Sequence, residues 1–167
     1  GQNEFGHPIF DTTRSEIGEL LYQFKYRGNQ AALRKLVKAV VEHFGDKGKG
    51  KFDLVLPIPP SNLNRTVTKQ IAQGLAHGLG APFSADSLVK VKDTAELKNV
   101  VDPEQRKQIL EYAFKADRKQ IEGKIVLLVD DLYRSGATLE AAAQVVAAQG
   151  KAKAVYVLAI TRTRVHR

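Results

Sequence analysis

Five consecutive apolar residues, Ile125-Val-Leu-Leu-Val129, run straight into two aspartates, Asp130-Asp131. A strand that is apolar at every position must be covered on both faces, which is the condition of a strand inside a parallel sheet. The surrounding pattern supplies that cover. Ala137 to Gln149 is a helix stopped by Gly150, and Ala154 to Ile160 is another apolar strand. Upstream, Asp53-Leu-Val-Leu-Pro-Ile-Pro-Pro60 is a short apolar strand ended by prolines, which cannot continue a central ladder. Val67, Ile71, Leu75 and Leu79 recur every four residues between Asn64 and a stop at Gly80, so this stretch is a helix with a glycine end. Strand, helix, strand, helix, strand reads as an α/β fold with a parallel sheet.

Between these elements the pattern is weaker. Phe83 to Val91 reads as a weak strand and Lys92 to Val101 as a polar irregular stretch. Asp102-Pro103-Glu104 starts a helix with proline in its first turn, and that helix is expected to reach about Phe114. At the N-terminus, Ile17, Leu20, Leu21 and Phe24 follow the candidate caps Thr13 and Ser15, and Gly28-Asn29 breaks the helix. Leu33, Leu36, Val37, Val40, Val41 and Phe44 form a second apolar stripe, followed by the polar turn Gly45 to Gly50. We expect one domain: residues 1–50 as a helical hairpin appended to an α/β core at 51–162, with 163–167 as a basic tail.

Composition narrows the class. A chain of 167 residues fits a single domain. The absence of cysteine excludes a disulfide framework, a thiol nucleophile, Cys-ligated zinc and an iron–sulfur cluster. No apolar run approaches the roughly 20 residues that cross a bilayer, and the opening residues do not read as a signal peptide. The expected setting is cytoplasmic, with no membrane partner. A start at Gly1 and a chain without methionine suggest a cut N-terminus or a domain from a longer chain. The formal charge is +8, and residues 151–167 carry five basic and no acidic side chains. Such a tail suits a polyanion or is simply a solvated terminus.

The chemistry concentrates at Asp130-Asp131-Leu-Tyr-Arg134-Ser135-Gly136-Ala137-Thr138. In an open parallel sheet, ligands bind beyond the carboxyl ends of the strands. Here a tight turn opens a helix, whose first N–H groups and dipole favour an anion. Gly136 permits close approach, and the hydroxyls of Ser135 and Thr138 add donors. Two carboxylates just before the turn suit a sugar diol or Mg²⁺ held through water. A phosphate beside a cis-diol is the outline of a ribose 5-phosphate. Plain helix capping would leave the same turn. Neither a Walker A loop nor Gly-x-Gly-x-x-Gly is present.

Val126 to Thr138 resembles the phosphoribosyl-pyrophosphate signature of type I phosphoribosyltransferases. With Phe24-Lys-Tyr-Arg-Gly28, Leu56-Pro-Ile-Pro59, Glu104-Gln-Arg106 and Ala113-Phe114, the chain looks like the ComF family of competence-associated phosphoribosyltransferase-like proteins. It also looks like the related domains appended to some RecQ-type DNA helicases. The resemblance spans most of residues 20–162. It implies a type I phosphoribosyltransferase-like fold and assigns roles. Arg134, Ser135, Gly136, Ala137 and Thr138 would bind the 5-phosphate, and Asp130 and Asp131 would face the ribose hydroxyls and a Mg²⁺ cofactor as the catalytic pair. Pro60, Ser61 and Asn62 would form the pyrophosphate loop, and Lys92, Lys98 and Arg106 would reach in from a hood. The implied reaction displaces pyrophosphate from ribose C1 of phosphoribosyl pyrophosphate by an unidentified nitrogen acceptor. Homodimers are common in the resembling family.

The departures from the family pattern are specific. Arg134 stands where members usually carry a small residue, and hypoxanthine/guanine-type enzymes place an aspartate there as base. The loop after Pro59 lacks the Arg-Gly-Phe-Asn-Gln of typical ComF proteins, and the 167 residues hold no cysteine zinc finger of the kind that often precedes ComF domains. A competing reading is a non-catalytic DNA- or RNA-binding or ligand-sensing module, tied to DNA uptake or processing, that uses the phosphate site, Arg134 and the tail on single-stranded nucleic acid. Elsewhere, His7, His43, His77 and His166 have no metal-ligand spacing. Ser61 lacks a nucleophile elbow. Tyr22, Phe24 and Tyr26 interleave with Lys25 and Arg27, a composition that single-strand binding uses. A helix with one buried and one exposed face explains it equally, since Tyr22 and Tyr26 share a face and Phe24 points away. Tyr133, beside the turn, can stack on a base or cover the site.

Overall fold

The computed structural model describes residues 14–60, 66–91 and 99–163. Three strands form a parallel sheet: β1 (Leu54–Pro57), β4 (Ile125–Tyr133) and β5 (Ala154–Arg162), in the order β1-β4-β5. β4 is paired on both sides, Leu54 to Pro57 lying opposite Val126 to Val129 and Ala154 to Arg162 opposite Ile125 to Tyr133. Val126 to Val129 are fully buried, as an all-apolar strand requires, and Ile125 at its start is partly buried.

Strand alternation divides the core into two layers. On one face, Val126 and Leu128 meet Leu54, Leu56 and the helix α6 (Ala137–Ala148) through Leu139, Ala142, Val145 and Val146. On the other, Leu127 and Val129 meet Val55 and three helices. These are α1 (Glu16–Arg27), α2 (Gln30–Phe44) and α3 (Val67–Leu79). Each helix ends where its sequence says it should. Ser15 caps α1 by accepting from the Gly18 amide, and Asn29 caps α2 by accepting from that of Ala32. Gly28 and Gly80 close α1 and α3 in the left-handed conformation that glycine adopts without strain. The hairpin of α1 and α2 is a wall of the core, since Leu21, Phe24 and Leu36 are buried beneath the sheet.

Three boundaries differ from the periodicity reading. First, the helix begun at Asp102 is α4 (Pro103–Glu111), and it stops short of Phe114. Phe114 instead opens β3 (Phe114–Ala116), which pairs antiparallel with β2 (Leu88–Lys90). That two-stranded ladder and the buried pockets for Leu110, Ala113 and Phe114 outweigh another turn of a mostly polar helix. A short helix, α5 (Arg118–Ile121), follows. Second, the weak strand at Phe83 to Val91 shrinks to β2 and one bridge between Phe83 and Val55. Ser84 accepts from the amides of Asp86 and Ser87, and this local turn competes with the ladder. Third, the strand expected over Lys124 to Asp130 does not stop there; β4 runs through both aspartates to Tyr133 because β5 continues beside it to Arg162. The helix expected from Asn64 is seen from Val67, and residues 61–65 lie outside the described residues.

Close approach of α2 to α3 depends on two glycines. A Cβ at Gly74 would lie 2.9 Å from Val37 Cγ2, and one at Gly78 would lie 2.7 Å from Val41 Cγ2. A helical Gly→Ala change normally stabilises by about 1 kcal/mol. Here the added methyl must displace a stiff β-branched side chain, and overpacking costs about 1–3 kcal/mol. Gly78→Ala is therefore expected to lower Tm by a few degrees in thermal denaturation followed by circular dichroism. The double variant Gly78→Ala/Val41→Ala should lose less than the sum of its two single changes.

Candidate active site

The carboxyl ends of β1 and β4 emerge side by side, tied by the Ile58 amide donating to the Val129 carbonyl at 2.8 Å. Beyond them lies a cleft of about 270 Å³. Its walls are Pro59 after β1, Lys90 of β2, Arg106 and Leu110 of α4, Phe114 of β3, Asp130 and Leu132 of β4, and the turn from Tyr133 to Leu139. Three cations, Lys90, Arg106 and Arg134, thus face one carboxylate.

The turn has the geometry of an anion seat. Gly136 is the N-cap of α6, with φ of 79°, and, having no side chain, makes no cap bond of its own. The hydroxyl of Ser135 accepts a long bond of 3.4 Å from the Ala137 amide, and Arg134, Ser135 and Thr138 are exposed. A helix beginning in this way presents its first amides and its positive dipole end to the cleft. Gly136 is required twice: by its left-handed backbone, and because a Cβ would lie 2.7 Å from the Tyr133 hydroxyl. Tyr133 therefore leans over the turn rather than away from it.

The two aspartates lie on opposite faces of β4. Asp130 follows the alternation of Val126 and Leu128 and lines the cleft. Its carboxylate accepts the Asp131 amide at 2.8 Å. Burial, and then the neighbouring Asp131 carboxyl, push its pKa up from the usual 3.8 to about 7. Asp131 follows Leu127 and Val129 toward α1. There its Oδ2 takes an ion pair with Lys25 Nζ at 2.8 Å, both side chains less than a fifth exposed. Its carbonyl accepts from the Thr161 hydroxyl on β5 at 3.1 Å.

The structure thus gathers Asp130, Arg106 and residues 134–138 around one cleft. Pro60 is half-buried one residue beyond the cleft wall at Pro59. Ser61, Asn62, Lys92 and Lys98 lie outside the described residues. Periodicity did not single out Lys25 as a partner of the acids, whereas Lys90, which together with Lys92 and Lys98 reads either as an anion-catching loop or as a solvated one, lines the cleft. The only signal for Lys25 was its place in Phe24-Lys-Tyr-Arg-Gly28, since nothing local links it to a carboxylate 106 residues away. Tyr22 and Tyr26 do share a face, with ring centroids 5.1 Å apart, and Phe24 is buried.

Among the described residues no three His, Cys, Asp or Glu side chains gather into a metal cage. Asp130 and Asp131 are two oxygen donors, one of them engaged by an ammonium. Such a set fits Mg²⁺ only where the ion takes most of its ligands from a bound diphosphate and water, which is its usual habit.

Comparison with known proteins agrees with this architecture. A sequence model of the phosphoribosyl transferase domain matches residues 25–164. The competence protein ComFC of Bacillus subtilis strain 168 is 28% identical over 154 residues, covering 91% of this chain and 62% of that protein. The chain therefore spans less than two-thirds of this relative's length. Adenine phosphoribosyltransferase of Rhodothermus marinus superimposes with a TM-score of 0.56 at 18% identity, over 96% of this chain and 91% of that one. Glutamine phosphoribosylpyrophosphate amidotransferase of B. subtilis gives a TM-score of 0.59 at 20% identity, over 84% of this chain and 30% of that one.

The raised pKa of Asp130 has a consequence for stability. The folded protein keeps a proton that the unfolded chain releases near pH 4. Folding is therefore progressively penalised as pH rises from about 4 to about 7, and the penalty is constant above that. Asp130→Asn should remove it. In urea denaturation across a pH series with a chelator present, the variant is expected to gain on the parent between pH 4 and 7 and to remain the more stable above 7.

Proposed function

The chain belongs to the phosphoribosyl transferase domain family, and from that premise we propose that the cleft binds a phosphoribosyl group and transfers it from phosphoribosyl pyrophosphate to a nitrogen acceptor. The observation that carries this reading is the left-handed, side-chain-free cap at Gly136, set at the carboxyl end of β4 with Asp130 in the same cleft. The 5-phosphate would sit on the amides of residues 135–138, with the Ser135 and Thr138 hydroxyls and Arg134 as further donors. Asp130 would meet the ribose hydroxyls. A carboxyl titrating near 7 can accept from a hydroxyl or donate to one, and it lessens the repulsion of an arriving polyphosphate.

In the reaction, the C1–O bond to pyrophosphate breaks and its electron pair leaves with the pyrophosphate. The C1–N bond forms, and the nitrogen gives up a proton. The ribosyl centre becomes cationic on the way, so the protein's task is to hold the partners in line and to stabilise the departing anion. Lys90 and Arg106 stand in the cleft on the side of α4 and β2. They would draw the pyrophosphate there, away from the 5-phosphate turn. Mg²⁺, held by Asp130 in the cleft together with the ligand's own oxygens and water, would add charge neutralisation on the leaving group. Ser61, Asn62, Lys92 and Lys98 remain the proposed pyrophosphate-loop and hood residues.

The test is a calorimetric titration with phosphoribosyl pyrophosphate, with and without Mg²⁺, at low and high salt. Binding that Mg²⁺ strengthens and that survives high salt supports the reading. Gly136→Val should weaken it by about tenfold or more, since one or two charge-assisted hydrogen bonds are lost. No binding of phosphoribosyl pyrophosphate, coupled with oligonucleotide binding that collapses as salt rises, would instead identify a polyanion-binding module.

A further inference from the structure

The Lys25–Asp131 pair lies outside the residues that line the cleft, yet it decides the state of one of the two carboxylates. Lys25 belongs to the last turn of α1, whose Leu21 and Phe24 anchor it in the core and whose Gly28 ends it. The side chain reaches the end of β4, and Nζ stands 2.8 Å from Asp131 Oδ2 with the two side chains only 18% and 17% exposed. An exposed Lys–Asp pair contributes little, because water screens it and two long side chains must be ordered. Partial burial changes that. The attraction is screened less, and an unpaired carboxylate here would be costly. The Tyr26 ring lies 5.7 Å from the same ammonium, and Asp130 is the adjoining acid. Two neighbouring carboxylates at a strand end need a cation between or beside them, and the fold brings one of its own.

We infer that Lys25 is the resident counter-cation of Asp131, holding the position a divalent metal would otherwise take at that carboxylate. A metal then joins the site only together with a ligand that supplies most of its oxygens, and the free protein does not charge Asp131 with metal beforehand. Helix α1 is accordingly part of the site: Lys25 is a positioning residue that orients Asp131 and sets its charge balance. What kind of ligand brings the metal rests on the phosphoribosyl reading above; the occupation of Asp131 by Lys25 does not.

Mn²⁺ alone is the first probe, its free concentration followed by electron paramagnetic resonance. The wild-type protein should bind it weakly. Lys25→Met should bind it at least about tenfold more tightly, Lys25→Arg should match the wild type, and Lys25→Met/Asp131→Asn should lose the gain. Equal Mn²⁺ affinity for wild type and a folded Lys25→Met, or a gain that persists without Asp131, overturns the inference. Should Lys25→Met fail to fold, the wild type itself decides. Paramagnetic broadening of the Lys25 side chain and Thr161 amide by Mn²⁺ alone would place metal at Asp131 and overturn the inference. Signals left sharp there support it.

Ribose 5-phosphate, titrated in a chelator, is the second probe. It should bind wild type and Lys25→Arg alike, and about tenfold more weakly to Lys25→Met. Equal binding to all three overturns the role of Lys25 toward the ligand. No binding to any of them overturns the phosphoribosyl reading, and the Mn²⁺ arm still decides the inference on Lys25.

Discussion

The structure depends on a single strand that is hydrogen-bonded on both sides and covered on both faces. β4 lies between β1 and β5, and its apolar run can satisfy its backbone only in that central place. Parallel pairing sets the rest. It brings the carboxyl ends of all three strands to one edge, and it requires crossover connections that lay helices over both faces. The cleft is where those coverings stop. Past Val129 the strand carries Asp130 and Leu132 along the cleft wall to Tyr133, and the turn after it leads into α6.

The electrostatics of the site follow from the same strand. Because β4 continues as a strand through its polar end, alternation points Asp130 and Asp131 to different faces. Asp130 enters a desolvated cleft and its carboxyl is pushed up to about 7. Asp131 enters the space beside α1 and is met by Lys25. Adjacent acids with the same chemistry thus have different neighbours: Asp130 faces a set of cleft cations, while Asp131 is bonded directly to one ammonium. The sheet face, rather than the residue type, makes the difference.

Much of this was legible along the chain, and the reasons are local. Gly28, Gly80, Ser15 and Asn29 end or begin helices through their own backbone and side-chain chemistry, so their signals survive folding. The five-residue apolar run permits only a buried strand. The turn from Arg134 to Thr138 carries its own glycine and hydroxyls, so an anion seat could be read from it. Phe114 was harder to read. An aromatic at the end of a weakly amphipathic helix is ambiguous until β2 is there to pair with it. The extent of β4 was also hidden, because nothing in Asp-Asp-Leu-Tyr favours a strand without Thr161 and Arg162 alongside.

The sequence by itself determined the fold class, the family and the glycine-capped turn that opens α6, because each of these rests on neighbours within about fifteen residues or on one contiguous motif. Tertiary structure alone decided which cations meet which carboxylates. Lys25 and Asp131 are separated by 106 positions. Lys90 and Arg106 reach the cleft from β2 and α4, elements that pack beside β4 only once the chain has closed. Electrostatic interaction falls off over a few ångströms and is indifferent to position along the chain. Periodicity can therefore name the charged groups, and only the packing of α1, α4 and β2 around the end of β4 can pair them.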